Sequence, residues 1–555
     1  MGRIAKFLGN PGARPDVSHR APIVGHVQND DEFGDSKDYQ NDAMVRVISN
    51  SDESTDEELC KVDLTANGAI FTSRGFTGLR KGFTDKSLDF LVRVAGSQVV
   101  FIIIWIIVII WMVIGIVYGA PFNWQVVMQD GQSIQSYVWD TLLMRQQLMS
   151  THEQILICGR LRSRLASFKN YLTRSSPNEG KKEECAVQAN EVDSLENYID
   201  PSVVAGELPV ENWYDRLSNL ASKCMGSVSA MLIFWIGIFV WIGCGAIPKD
   251  AGNTPPYTGE TSGSNPRLKK FSDTWQMYIN TAVAVSILIC STFLQNLRAR
   301  HDDFIGKFLI GIFDMDEKID YHIRKHFNDF ETPHAIITVK SEKRSTGRKM
   351  IDWYADIIGT GVGVIIGVVV FAVWIGIGAP LKWNDNWWLI IGTYTGLVGF
   401  LDGFILREVY FRIITHEEQN YAEVVREDLE LFQELGLECP EEFTAKAHEE
   451  RDTLSYKISH FINKICSDQW SVLVSILIII MLICISSGLR WSTTGQLIAN
   501  TPTMIIEEFF LLVLLQAHNW ADRQRRVEVT ALYARRHILL AYVQKRFPEV
   551  LALEK

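Results

Sequence analysis

The chain has 555 residues, 47% of them apolar, and a net charge of −11. That acidic balance argues against a protein that tracks nucleic-acid phosphates, and the apolar residues gather into runs, which argues against a string of soluble domains. Nine cysteines, none in a Cys-x-x-Cys pair, fall mostly in those runs or in segments read as cytosolic, so free thiols are expected rather than a disulfide framework.

Residues 1–85 are polar and acidic and read as a disordered cytosolic tail. No cleavable signal is expected at Met1, and Lys6 breaks the myristoylation pattern. Within the tail, Ser51, Ser54 and Thr55 are flanked by acids and suit an acid-directed kinase, with a plain solvated tail as the alternative.

Between Arg93 and Asp130 there is no charge, and residues 99–118 form an apolar run. About 20 such residues cross a hydrocarbon core. Three more runs follow at 225–247, 357–378 and 470–488. Each is trailed by a more polar span, at 132–150, 275–297, 387–406 and 503–520. Asp140 and Arg145 interrupt the first of these, for which a soluble amphipathic helix is the alternative.

The alternation repeats in detail. Trp241-Ile-Gly-Cys-Gly-Ala246 matches Trp374-Ile-Gly-Ile-Gly-Ala379, and Gly119-Ala-Pro-Phe-Asn-Trp124 matches Gly378-Ala-Pro-Leu-Lys-Trp383, with a weaker echo at Gly488-Leu-Arg-Trp491. The expected fold is an all-α polytopic membrane protein with about eight transmembrane helices in four two-helix units, 86–154, 221–300, 351–410 and 467–522. Charged, partly helical cytosolic loops (155–220, 301–350, 411–466) separate the units, and a cytosolic tail, 523–555, closes the chain. The turns inside the units hold only 6 of the 54 lysines and arginines, which places both termini in the cytosol. Tryptophans 124, 275, 383, 387, 388 and 491 are expected in an interfacial belt.

Four carboxylates fall inside the polar spans: Asp140, Asp402, Glu507 and Glu508. A charge at that depth costs at least about 2.5 kcal/mol, so such residues usually line a water-filled path or hold a cation. Oxygen ligands suit divalent ions, and a carboxylate ring is one reading; pairing with Arg145, Arg407 or a buried amide is the other. Glu507 and Glu508 are adjacent and point about 100° apart on a helix, so only one can face a narrow axis. A second set lies where the polar spans end: His152 and Glu153, His301 and Asp302, His416 and Glu417, and His518 with Asp522. Imidazole with carboxylate suits a cytosolic exit site for transition metals, against ordinary helix-end polarity. Arg426-Glu-Asp-Leu-Glu430 has an Arg-Glu-x-x-Glu shape but sits in charged sequence and reads as a solvated face. Asp130 and Asp385 read as outer-turn acids. No nucleotide-binding, kinase or hydrolase signature appears, so no enzyme activity and no cofactor are expected.

The chain resembles the fungal low-affinity ferrous iron transporters of the plasma membrane. The resemblance is clearest over 124–140, 387–396 and 501–523 and extends along nearly the whole chain. It implies a multi-pass permease that takes up Fe²⁺ and, less selectively, copper and zinc. The ion gradient and membrane potential would drive entry, with the lipid bilayer and the metal ions as the expected partners and no nucleic acid. A poorly selective cation channel and a non-transporting receptor or scaffold are the rival readings.

Overall fold

The computed structural model describes residues 16–23, 63–64, 70–72, 90–91, 94–119, 121–174, 205–246, 263–265, 270–342, 344–359, 361–437, 439–440 and 454–548. In chain order the described helices are α1 (Gln98–Tyr118), α2 (Phe122–Arg174), α3 (Trp213–Met225), α4 (Val228–Ala246), α5 (Asp273–Phe327), α6 (Thr346–Ile358), α7 (Gly361–Gly378), α8 (Asp385–Leu435), α9 (Leu454–Cys466), α10 (Gln469–Gly488), α11 (Thr493–Ala517) and α12 (Arg523–Arg546). A π turn over His518–Asp522 joins the last two. Short strands are β1 (Val17–His19), β2 (Asp63–Leu64), β3 (Ile70–Thr72), β4 (Gly263–Asn265), β5 (Lys270–Ser272) and β6 (Ile337–Val339).

Among the described residues six helices are long and apolar enough to cross a membrane: α1, α4, α5, α8, α10 and α11 continued through α12. A seventh span is reached if α6 and α7, bent by 66°, count as one. Burial runs opposite to hydropathy. The most apolar windows, in α1, α4 and α10, are only 17%, 17% and 22% buried, whereas those of α5, α8 and α11 are 67%, 61% and 67% buried. Exposed faces of isoleucine, valine and leucine are unfavourable in water but match lipid, so α1, α4, α7 and α10 form the outer layer of a membrane protein and the polar helices form its centre.

The joints between greasy and polar helices share one construction. In three of them two indoles stack face to face, Trp111 on Trp124, Trp241 on Trp275 and Trp374 on Trp387, with ring centroids 3.9, 3.8 and 4.5 Å apart. Each Nε1–H donates to the backbone carbonyl of its partner tryptophan, at 2.6–3.3 Å. Gly115 and Gly245 admit the rings, since a Cβ there would lie 2.2 and 2.6 Å from Trp124 and Trp275. Trp124, Trp275 and Trp387, read from sequence as belt residues, therefore brace helix pairs. The next polar helices begin on matching caps: Ser272, Asn384 and Ser492 accept from the amides of Trp275, Trp387 and Gly495. In the last joint Leu482 and Gly495 stand at the 13-residue separation that Trp374 and Trp387 have, and Ser486 Oγ donates to Gly495 O at 2.8 Å. The turns before α8 and α11 also match, with Lys382–Trp383 and Arg490–Trp491 both left-handed (φ 50–54°).

Expected boundaries shift at the far ends. α2, α5 and α8 run unbroken for 53, 55 and 51 residues. At 1.5 Å per residue that is nearly 80 Å, more than twice a hydrocarbon core. The starts of the expected loops 155–220, 301–350 and 411–466 are therefore helical extensions, and most of the expected tail 523–555 is α12, packed along α5. Their own core holds Phe168, Ile319, Ile323, Leu431, Phe432 and Leu539. Beside it lies a buried ion network: Asp428 pairs with Arg535 (2.5 Å) and Arg536, and Arg536 also reaches Asp316 (2.8 Å). The Arg-Glu-x-x-Glu stretch is thus structural, since Glu427 pairs with Arg162 at 2.6 Å and its middle residue Asp428 is fully buried.

Parts of the expected disordered tail, β1, β2 and β3, are built into the fold. β1 pairs antiparallel with β6 and β3. Val17 is buried with Ile155 and Val339, and the Ala21 amide donates to Ser163 Oγ at 3.0 Å. Burial, with Arg160 and Arg164 nearby, lowers the His19 imidazole to about 4, so it docks uncharged. Composition hides this segment because one of its two pairing partners, β6, is some 320 residues away. Ser51, Ser54 and Thr55 lie outside the described residues.

Candidate functional site

The four polar helices enclose an axis: α2 packs on α8 and α5, and α11 packs on the same two. Toward that axis α8 offers glycines at 392, 396, 399 and 403, spaced by 4, 3 and 4 residues and so on one helix face. The missing side chains leave room that polar groups of the neighbours occupy. Glu507 Oε2 and Asp140 Oδ2 lie 3.4 and 4.0 Å from where a Cβ on Gly399 would sit. Carboxylates from α2 and α11 thus meet in one gap beside α8.

Glu507 accepts from Gln132 Nε2 at 3.4 Å and is half-buried. Its neighbour Glu508 is 3% exposed, turns to α5, and accepts from Ser286 Oγ at 2.6 Å with Cys290 Sγ at 3.9 Å. The 100° between the two side chains is resolved as one toward the axis and one toward a helix interface. Asp402, 2% exposed, accepts from Tyr354 OH of α6 at 2.7 Å and lies within electrostatic reach of Asp140. Among the described residues no basic side chain lies within 4.0 Å of any of the four carboxylates; Arg407 instead donates to Asn463 Oδ1 (3.1 Å) and to the Phe510 carbonyl. Also among the described residues, no three His, Cys, Asp or Glu side chains gather as a metal cage. What the geometry provides is a carboxylate pair with hydroxyl and amide groups beside it, in a place where an uncompensated charge is costly.

The His/acid set divides. His301 and His518 bring their rings to 6.0 Å, centroid to centroid, and Asp522 lies against His518 Nδ1 across the π turn. π turns put such side chains on an unusual face and are frequent at functional sites. Arg526 Nη1 lies 3.1 Å from His301 Nδ1. Asp302 turns to α2 and accepts from Gln146 Nε2 at 2.5 Å. Glu417 pairs with Arg525 at 3.3 Å, under the 3.8 Å stack of Arg525 on Tyr421. His416 has Glu342 and Arg412 as its electrostatic neighbours, apart from the histidine pair. The side chains of His152 and Glu153 lie outside the described residues.

Sequence reasoning missed the groups that carry no charge: Gln132, Ser286, Cys290, Tyr354 and the glycine face of α8. The glycine spacing was there to be found, but only the packing shows what fills the gap. Asp130, read as an outer-turn acid, lies two turns inside α2 and is 5% exposed.

A family model described as "Low affinity iron permease" matches residues 348–412 and 455–543, which hold α8's glycine face, Asp402 and both glutamates. The chain is 80% identical over all 555 residues, and over all of the relative, to a "Low-affinity Fe(2+) transport protein" of Saccharomyces cerevisiae. It is 38% identical over 543 residues, 97% of this chain and 85% of the relative, to a "Low-affinity iron/zinc ion transport protein" of Schizosaccharomyces pombe. No solved structure matches. With full-length identity of this degree and the apolar helices described above, the chain is a multi-pass membrane protein and belongs to the low-affinity iron permease family.

Proposed function

We propose that this protein carries Fe²⁺, with Zn²⁺ and Cu²⁺ as less favoured cargo, across the plasma membrane along the axis of α2, α5, α8 and α11. The observation that carries the reading is the meeting of Asp140 and Glu507 at the Gly399 gap without a basic partner. A divalent ion shedding part of its water there would gain what those charges lack. The names of the two relatives support iron and zinc as substrates. Asp402 would flank the pair and Glu508 would hold α11 to α5. His301, His518 and Asp522 would receive the ion at the cytosolic end. Entry needs no other energy source than the membrane potential, worth about 2.3 kcal/mol per charge per 100 mV and so about 4.6 for a divalent ion.

We read eight spans in four repeated units, adding α2 and the bent α6–α7 pair to the six helices that qualify singly. The shared caps, indole stacks and left-handed turns support the repetition. The charged extensions would face the cytosol, and both Val17 and α12 pack against them, so both termini would lie on that side.

Purified protein in liposomes should take up Fe²⁺ faster when the interior is made negative, with Zn²⁺ competing. Uptake no faster than in empty liposomes would remove the transport reading and leave a receptor or scaffold; equal competition by monovalent ions would make it an unselective channel. For topology, a single cysteine at Thr493 in a background without native cysteines should react with an impermeant reagent on intact cells, and one at Ser345 should not. Labelling at 345 would overturn the eight-span arrangement.

A further inference from the structure

A second polar layer lies on the same axis about two turns nearer the helix joints. Seven residues past the first residue of α5, α8 and α11 stand Asn280, Gly392 and Asn500, and eight past that of α2 stands Asp130. Gly392, like Gly399, lets polar side chains of the neighbouring helices come close to the α8 backbone. A Cβ there would sit 3.2 Å from Asp130 Oδ1 and 3.8 Å from Asn500 Nδ2. At Gly396, one turn on, it would sit 2.6 Å from Asn500 Oδ1 and 3.0 Å from Thr503 Oγ1.

These groups are buried and short of partners. Asp130 is 5% exposed and its Oδ2 has no hydrogen bond; Asn500 is 2% exposed and its Oδ1 has none; Asn280 is fully buried and neither end of its amide is bonded. Native interiors seldom leave such groups unpaired, because each costs about 1–3 kcal/mol. A carboxylate facing an amide across a glycine gap is a hard-oxygen site for a cation that keeps several of its waters. Rotation of the Asn500 amide about its last torsion presents oxygen or nitrogen to the gap without moving the backbone.

We propose that Asp130 and Asn500, across Gly392, form an outer cation site where a hydrated divalent ion first loses water before it reaches Asp140 and Glu507. Asn280 stands at the same register on α5. The spacing supports passage from one site to the next: Gly392 and Gly399 are seven residues apart, roughly 10 Å of helix. The outer site has one carboxylate where the inner has two, so it captures weakly and releases inward. This rests on the transport reading above for its role, but not for its existence.

Two measurements on the full chain separate those. The first is binding of radioactive Co²⁺ to purified protein by equilibrium dialysis, in a Glu507→Gln background that weakens the inner site. Asp130→Asn should weaken the remaining binding about tenfold, the factor carried by ~1.4 kcal/mol. The double variant Asp130→Asn/Asn500→Asp puts one carboxylate and one amide back across the same gap and should restore it. The second is Fe²⁺ uptake by liposomes with Glu507 intact, where Asp130→Asn should raise the half-saturating concentration about tenfold and leave the maximal rate nearly unchanged. Asn500→Asp alone should lower that concentration, a gain that a folding defect does not produce. The site is overturned if Co²⁺ binding does not depend on Asp130, or if the exchanged pair binds no better than Asp130→Asn. If Co²⁺ binding follows the prediction while no variant and no wild-type protein transports Fe²⁺, the site stands and the transport reading falls.

Discussion

Replacing Glu507 by Gln is expected to cut Fe²⁺ uptake per reconstituted molecule at least tenfold, while Glu508→Gln leaves it within about twofold. The substitution keeps shape and hydrogen-bonding capacity, so Gln132 retains a partner and the loss is that of charge. Attraction between unit charges about 4 Å apart is ~4 kcal/mol at an effective dielectric near 20, and doubles for a divalent ion, so a tenfold effect needs only a small part of it. Asp140→Asn removes the other half of the pair at Gly399 and should match Glu507→Gln. Glu508 faces Ser286 and Cys290 on α5, so its variant should lower the yield of folded protein, not the rate per molecule. Asp402→Asn is expected between the two, because Tyr354 already holds one carboxylate oxygen. Initial rates with Fe²⁺ kept reduced, normalised to reconstituted protein, make the comparison. Normal rates in Glu507→Gln and Asp140→Asn together would remove the carboxylate path.

The second large effect is on stability and lies far from the membrane centre. Asp428→Ala should destabilise the helical extensions by about 3–5 kcal/mol, the usual result of removing one partner from a buried ion pair. Here Arg535 and Arg536, both fully buried, lose a shared carboxylate, and Arg536 keeps Asp316. Glu427→Ala, one residue away, should cost no more than about 1 kcal/mol, since its pair with Arg162 is partly exposed and Glu423 stays at 2.6 Å from the same arginine. Thermal unfolding in detergent distinguishes them. Equal melting of Asp428→Ala and wild type would mean that the network does not hold α8 to α12.

Much of the architecture was legible in the residues. Apolar runs of span length pointed to a helical membrane protein with several spans, and that is what the chain forms. The reason is that lipid, unlike a protein core, selects on hydropathy directly, residue by residue. Placement of four carboxylates in polar spans was equally readable, because charge at membrane depth is rare and costly. Tertiary structure decided what pattern could not. Which of Glu507 and Glu508 faces the axis depends on the rotation of α11, set by packing against α5 and α8, and adjacency alone leaves both choices open. That Asp428 is buried while Glu427 is partly exposed, and that Val17 and α12 belong to the folded body, depends on partners about 100 to 320 residues away. The gaps at Gly392 and Gly399 are the clearest case. A glycine in a polar helix says only that a side chain is absent, and what enters the space is fixed by α2 and α11, whose approach no local sequence encodes.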